Sequence, residues 1–348
     1  MMRNILILLV LCVYFHQCAF ARFYYDNFRE RKNLRFRGAR PGPDGCVSLS
    51  SRREETPLYN TAYYEKRMRL RKGDPKGFVT SFKFKLFREE AFLTNVKDAD
   101  GLTLLPGEGI SFFVSSSVSG RPKAHREWTM GYDNMGQGFA VELDTNSNTQ
   151  TQDPAEPHVS VHWTGSAAEM HVRAQEQKFA TWPTTSRPRL TAVHDDYSAW
   201  APLELQPRIL SASAFAEANV ASLTREERRN KRSRAVEALS ARASTLGVTD
   251  SITVSVSYHS GLVSVFVGDP IVPKIQVMIP PLHGDFLIGF ASVSSARTAD
   301  HYRICDWQFE RTLAPHPSLL AYAQSSSIVL PPALHTAAAR YTQATREP

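Results

Sequence analysis

The stretch FAVELDTNSNTQTQDPAEPHVSVHW, residues 139–163, decides how the chain is read. It opens as one strand and closes as another. Between them it gathers Glu142, Asp144, Asn146, Asn148, Asp153 and His158. Alternate side chains of a strand share a face. Phe139, Val141 and Leu143 therefore turn to a core, and Glu142 and Asp144 turn together to the other side. Two neighbouring carboxylates repel unless a cation lies between them or one is protonated. Pro154 and Pro157 stiffen the return of the loop. The second strand begins at His158, with Ser160 and His162 on the same face and Val159 and Val161 toward the core.

Hard oxygen ligands suit Ca²⁺, and carboxylates with one imidazole suit Mn²⁺ or a similar transition ion. The inventory predicts a two-ion cluster. Glu142 and His158 take the transition ion, Asn148 takes calcium, and Asp144 and Asp153 bridge both, with Asn146 offering its backbone carbonyl. A polar loop of hydrogen-bonded acids is the plainer reading of any single residue. It does not account for the whole spacing.

Outward from this stretch, period-two alternation predicts strands in SFKFKLF (81–87) and SITVSVSYH (251–259). GISFFV (109–114), LVSVFV (262–267) and FLIGFA (286–291) read as more fully buried strands. Short strands between Gly, Pro, Asp and Asn turns predict an all-β sandwich of antiparallel sheets. Each sheet is expected to have one packed and one wetter face. Residues 165–249 lack this pattern and read as an insertion. Thr224 with Glu227 forms a capping box, and Gly247 sits at a C-cap position, so the insertion carries a basic helix over about 225–246. Its Arg229-Asn230-Lys231-Arg232 run is a solvated face or, if unfolded, a dibasic cleavage site. Residues 313–348 are rich in Ala, Ser and Pro and are expected to be disordered.

The 348-residue chain carries a formal charge of +7, which alone does not imply nucleic acid. No zinc-finger spacing or RNA-recognition signature accompanies it. Residues 1–21, with Arg3 ahead of ILILLVLCVYF, have the form of a signal peptide ending at Ala21, with an uncleaved anchor as the alternative. No later stretch holds eighteen uninterrupted apolar residues, so no membrane span is expected. Removal of the leader leaves Cys46 and Cys305. Two thiols in an oxidising compartment predict one disulfide, with two buried free thiols as the alternative.

The pattern E-x-D-x-(aromatic)-x-N-x4-D-x4-H, matched without a gap in VELDTNSNTQTQDPAEPHVSV (141–161), resembles that of the L-type lectins, the legume-lectin family that includes concanavalin A. FVTSFKFKL (78–86), GEGISFFV (107–114) and FLIGFASVSSARTADHYRICDWQFE (286–310) follow in family order. The resemblance covers roughly 22–165 and 249–312, within a domain of 22–312. It implies a concanavalin A-like jelly roll in which the first and last strands are neighbours, strengthening the Cys46–Cys305 pairing. It also implies a calcium-fixed loop whose Asn148 donates to a sugar, beside an acceptor that follows a cis peptide. That acceptor is Glu108, where the family has Asp, and it reaches one methylene further. The family's aromatic platform is Asn146, which cannot stack. The glycine loop corresponds to REWTMGYDN (126–134), with Trp128 at the glycine, and the specificity loop to SSARTADHY (294–302), with His301 and Tyr302 as sugar contacts.

A secreted, metal-dependent, non-catalytic carbohydrate-binding protein is therefore expected, with glycans or glycoproteins as partners and a homo-oligomer left open. A non-sugar protein-binding module with structural ions is the alternative, motivated by Glu108 and Asn146. A glycoside hydrolase on the same sandwich needs two carboxylates flanking the bond. Here Glu142 and Asp144 begin an alternating acid run that Asn146 ends, and the metals engage both acids.

Overall fold

A computed structural model of the chain describes residues 22–30, 32–42, 44–50, 58–71, 77–89, 105–118, 130–132, 135–148, 153–164, 200–203, 208–210, 251–269, 272–294, 298 and 300–312. The expected signal peptide over 1–21, the expected basic helix over about 225–246, Trp128 and the tail from 313 lie outside the described residues.

Among the described residues sixteen strands are formed: β1 (Arg22–Tyr25), β2 (Leu34–Arg37), β3 (Arg40–Pro41), β4 (Val47–Ser48), β5 (Leu58–Leu70), β6 (Gly77–Glu89), β7 (Gly109–Ser115) and β8 (Gly138–Asp144), followed by β9 (His158–Trp163), β10 (Trp200–Pro202), β11 (Arg208–Leu210), β12 (Ser251–His259), β13 (Leu262–Val267), β14 (Ile275–Met278), β15 (Gly284–Ser294) and β16 (Asp300–Thr312). They make two sheets. One runs β14-β13-β12-β6-β16-β4-β3, with β1 also on β16 and β11 on β6. The other runs β10-β9-β8-β7-β15-β5-β2.

The alternation of the sequence decides which side chains meet between the sheets. Phe82 and Trp307 come from the first sheet, Phe112 and Phe290 from the second. Phe290 lies edge-on to Phe82 at 4.8 Å and to Trp307 at 4.9 Å between ring centroids. The Trp307 Nε1–H donates to Thr80 Oγ1 at 2.9 Å, so the one polar atom of this buried ring is satisfied. The expected neighbouring of first and last strands is present, as β1 pairs antiparallel with β16. Beside it, Arg303 pairs with Ser48 and Ile304 with Val47. This brings the next residues, Cys46 and Cys305, together as a disulfide with Cα atoms 4.5 Å apart.

Three features differ from the sequence reading. The 165–249 segment is not wholly outside the sandwich, because β10 pairs antiparallel with β9, and β11 pairs with β6. Three-residue strands are too short to show a period. The β11–β6 pairing is parallel, an exception to the antiparallel rule. The third difference bears on function: every residue of β7, β8 and β9 is buried, so their outer face is not wet. A second hydrophobic cluster covers it, with Met130, Tyr132 and Met135 packed on Tyr63, Phe113, Ala140, Leu287 and Ala291.

A metal-binding cluster and the surface above it

The donor-rich stretch forms two strands and the described ends of the loop between them. Phe139, Val141, Leu143, Val159 and Val161 lie in the main core, as the alternation requires. The register sets Glu142 opposite Ser160 and Asp144 opposite His158. Ligand atoms of Glu142, Asp144 and His158 lie within 4.8 Å of one another, and all three residues are buried. His158 Nε2 is 4.0 Å from Asp144 Oδ2. Its Nδ1 lies 3.2 Å from the Glu156 carbonyl. A proton on Nδ1 satisfies that carbonyl and leaves the Nε2 lone pair facing the carboxylates, the tautomer a metal ligand needs.

The loop is held by the same acids. Asp144 Oδ1 accepts from the Asn146 N–H at 2.7 Å. Asp153 Oδ2 accepts from the Asn148 N–H at 2.8 Å, and the Asp153 N–H donates to the Asn148 carbonyl at 3.1 Å. Burial first, then the charges of Glu142 and Asp153, push the Asp144 carboxyl well above the usual carboxylate range, against the opposing Asn146 N–H. A group held to its proton by burial first, and then by the carboxylates around it, is a group short of a cation. Oxygen donors with one imidazole supply the chemistry a divalent ion takes, so the residues fit such an ion.

Glu108 borders this cluster. It accepts from Asn146 Nδ2 at 3.3 Å through Oε1, and from Asn148 Nδ2 through Oε2. Its backbone is fixed twice: its carbonyl accepts from the Thr145 N–H at 3.1 Å, and the preceding Gly107 N–H donates to Asp300 Oδ2 at 3.0 Å. Thr145 Oγ1 also donates to the Gly107 carbonyl at 2.8 Å. Gly109 lets this loop close on β8, since a Cβ there would come within 2.1 Å of the Leu143 carbonyl oxygen. The cis peptide that the resemblance places before Glu108 is absent, as no cis bond occurs among the described residues. Trans is the lower-energy form for a non-proline bond.

The two aromatic sugar contacts expected from β16 are corrected. Tyr302 is fully buried, at 0% exposure, and packs in the main core against Phe84. Its side chain points between the sheets, and its hydroxyl lies 3.1 Å from Thr145 Oγ1, beneath the Glu108 loop. Burial and the neighbouring Asp300 push that hydroxyl well above the usual phenol range. His301 points to the other face but is also buried, with Nδ1 3.3 Å from Ser50 Oγ. Both belong to a strand rather than to an exposed loop, so neither presents a ring to a ligand.

Residues outside the expected set complete the cluster. Ser160 Oγ donates to Glu142 Oε2 at 2.8 Å, and His162 Nε2 lies 2.6 Å from the same oxygen. The Tyr132 hydroxyl donates to Glu142 Oε1 at 3.3 Å. The face shared by His158, Ser160 and His162 was legible, but the sequence assigned Ser160 and His162 no role. Arg88 grips Asp300 with two bonds, Nε to Oδ1 at 2.6 Å and Nη2 to Oδ2 at 2.8 Å. That pair anchors the Gly107–Glu108 turn from the opposite sheet.

Fold and cluster together define a jelly-roll sandwich with a metal-type donor set beside one end of its β7–β9 strands. The chain belongs to the legume lectin family, whose domain profile matches residues 20–196. No curated protein matches it by sequence. Among solved structures it is similar to peanut lectin with a nine-residue peptide, at 18% identity over 85% of this chain and 98% of that one, TM-score 0.50. It is also similar to the basic winged bean lectin with Tn-antigen and to the Lotus tetragonolobus seed lectin. Each is 14% identical over 84% of this chain and 98% of the other, TM-score 0.52. At these identities the structural likeness is one of fold.

Proposed function

We propose that the chain is a secreted, metal-dependent carbohydrate-binding protein without catalytic activity. The observation that carries this reading is the convergence of Glu142, Asp144 and His158 in a family whose members are lectins. Glu142 and His158 would hold a transition ion such as Mn²⁺. Asp144 and Asp153 would bridge to Ca²⁺, with the Asn148 side chain and the Asn146 carbonyl on the calcium side. The ions supply positive charge that neutralises the buried acids and fixes the loop. The chain's own contribution is orientation: Asp144 and Asp153 accept the loop's N–H groups, and Thr145 and Asp300 hold the turn that carries Glu108. Asn148 and Glu108 then present a donor and an acceptor side by side to ligand hydroxyls. The disulfide supports an oxidising compartment, and hence secretion. Among the described residues no helix is long and apolar enough to cross a membrane.

The test is a glycan array probed with calcium and manganese present, after EDTA, and after calcium is restored. Binding that disappears and returns supports the reading, and no glycan bound with both ions present overturns it.

One observation favours a second reading, a protein-binding module with structural ions. Glu108 takes up both the Asn146 and the Asn148 side-chain amides, so a sugar has to compete with bonds already made. Capture of a protein partner that free sugars do not displace, and that is lost on deleting 211–249 while β10 and β11 are kept, would favour it.

A further inference from the structure

Glu142 is held from its outer face as well as from the cluster. Along that face of β9, Ser160 lies directly opposite it. His158 lies one step toward Asp144, and His162 one step the other way, opposite Ala140. All three residues are buried. His162 Nε2 and Ser160 Oγ reach the same carboxylate oxygen, at 2.6 and 2.8 Å. They are themselves 2.7 Å apart. One proton on each satisfies Oε2 twice, which requires His162 in a form protonated at Nε2. The third edge of that triangle is then a contact rather than a bond.

A loop built for the purpose closes the other side. Met130 and Gly131 both adopt positive φ, at 46° and 85°, a reversal that turns Tyr132 down onto the sheet. A Cβ on Gly131 would strike the Tyr59 ring at 2.2 Å, so only glycine fits there. Ser111 Oγ donates to the Met130 carbonyl at 3.3 Å and ties the loop to β7. Tyr132 stacks on His162, with centroids 5.3 Å apart and planes 19° apart, and its hydroxyl reaches Glu142 Oε1.

We propose that His162 is a positioning residue for the metal cluster. With Ser160 and Tyr132 it fixes the Glu142 carboxylate, so that the transition-ion half is formed before an ion arrives. The proposal rests on the reading of Glu142 as a metal ligand. These three donors engage both oxygens of the Glu142 carboxylate and so set the plane in which it faces the cluster. An ion that had to order Glu142 itself would bind more weakly, and only on this half of the site.

The test uses the whole metal-free protein, titrated with Mn²⁺ followed by electron paramagnetic resonance and with Ca²⁺ followed by calorimetry. Loss of a group that orients a ligand typically costs 10–100-fold in metal affinity, so His162→Ala is expected to weaken Mn²⁺ by about that factor and leave Ca²⁺ little changed. His162→Gln, which returns an N–H near the same place, is expected to recover most of the loss. Tyr132→Phe deletes one donor while keeping the ring, and is expected to weaken Mn²⁺ to a smaller extent. Unchanged Mn²⁺ affinity in His162→Ala overturns the positioning role alone. So does a parallel fall in Mn²⁺ affinity, Ca²⁺ affinity and metal-free melting temperature, which marks packing, or a His162→Gln variant no better than the alanine. A wild-type protein that binds Ca²⁺ but no Mn²⁺ or similar ion overturns both this role and the assignment of Glu142.

Discussion

Replacing Asp144 by Asn should change stability in opposite directions with and without metal. The residue is 1% exposed and surrounded by the charges of Glu142, Asp153 and Glu108. Asn keeps the shape and still offers an oxygen to the Asn146 N–H, but removes the charge. In metal-free wild type the folded state holds the Asp144 proton to a higher pH than the unfolded chain does. Stability therefore falls as pH rises from about 4 through the raised folded value, and the loss is complete above it. The Asn variant has no such loss, so in EDTA at neutral pH it should melt above wild type. Metal reverses the order. An ion present at about 100 times its dissociation constant adds about 2.7 kcal/mol to wild type. For a domain of this size that corresponds to roughly 5 to 10 °C. The variant lacks the bridging carboxylate and should gain little. Thermal unfolding of both proteins, in EDTA and in calcium plus manganese across pH 5–8, decides the matter. A variant that melts below wild type in EDTA at neutral pH, or that gains as much from metal, would refute the account of Asp144 as a crowded, cation-seeking group.

Other perturbations have calculable outcomes. Arg88→Met leaves Asp300, whose side chain is 0% exposed, as a buried charge without its partner. Breaking such a pair typically costs about 3–5 kcal/mol, to be read by denaturant unfolding, and the double variant with Asp300→Asn should recover part of it. Thr145→Val removes the bond to the Gly107 carbonyl and strips the buried Tyr302 hydroxyl of a partner. It should cost about 1–3 kcal/mol and weaken ligand binding at Glu108 more than metal affinity. Cys46→Ser should cost about 2–5 kcal/mol of stability, as should reduction of the native disulfide, while the β-rich circular dichroism spectrum survives at low temperature.

How far the site could be read in advance depended on how local each feature is. Glu142, Asp144 and His158 share a neighbourhood because strand alternation and the pairing of two consecutive strands place them there, and both follow from one continuous stretch of sequence. Asn148 and Asp153 bind each other across five positions for the same reason. Tyr302 was misassigned because its position near a resembled specificity loop was the only guide. Its direction depends on which strand β16 pairs with and which face that pairing turns inward. Tyr132 comes from a loop whose fit depends on Gly131 meeting the Tyr59 ring, a contact between residues seventy-two positions apart. The short strands of 200–202 and 208–210 have no period of their own and are defined by pairing with longer strands, β9 and β6, from distant parts of the chain.

By itself, then, the sequence determined the sandwich class, the core-facing set and the order of the donors, since each is a matter of period and spacing along one strand or one turn. Tertiary structure alone decided that the outer face of β7–β9 is roofed over, that Glu142 meets His162 and Tyr132 beneath that roof, and that Tyr302 supports the Glu108 turn from below. Those outcomes rest on contacts between segments far apart in the chain. Such contacts form through burial of whole faces, which no local pattern encodes.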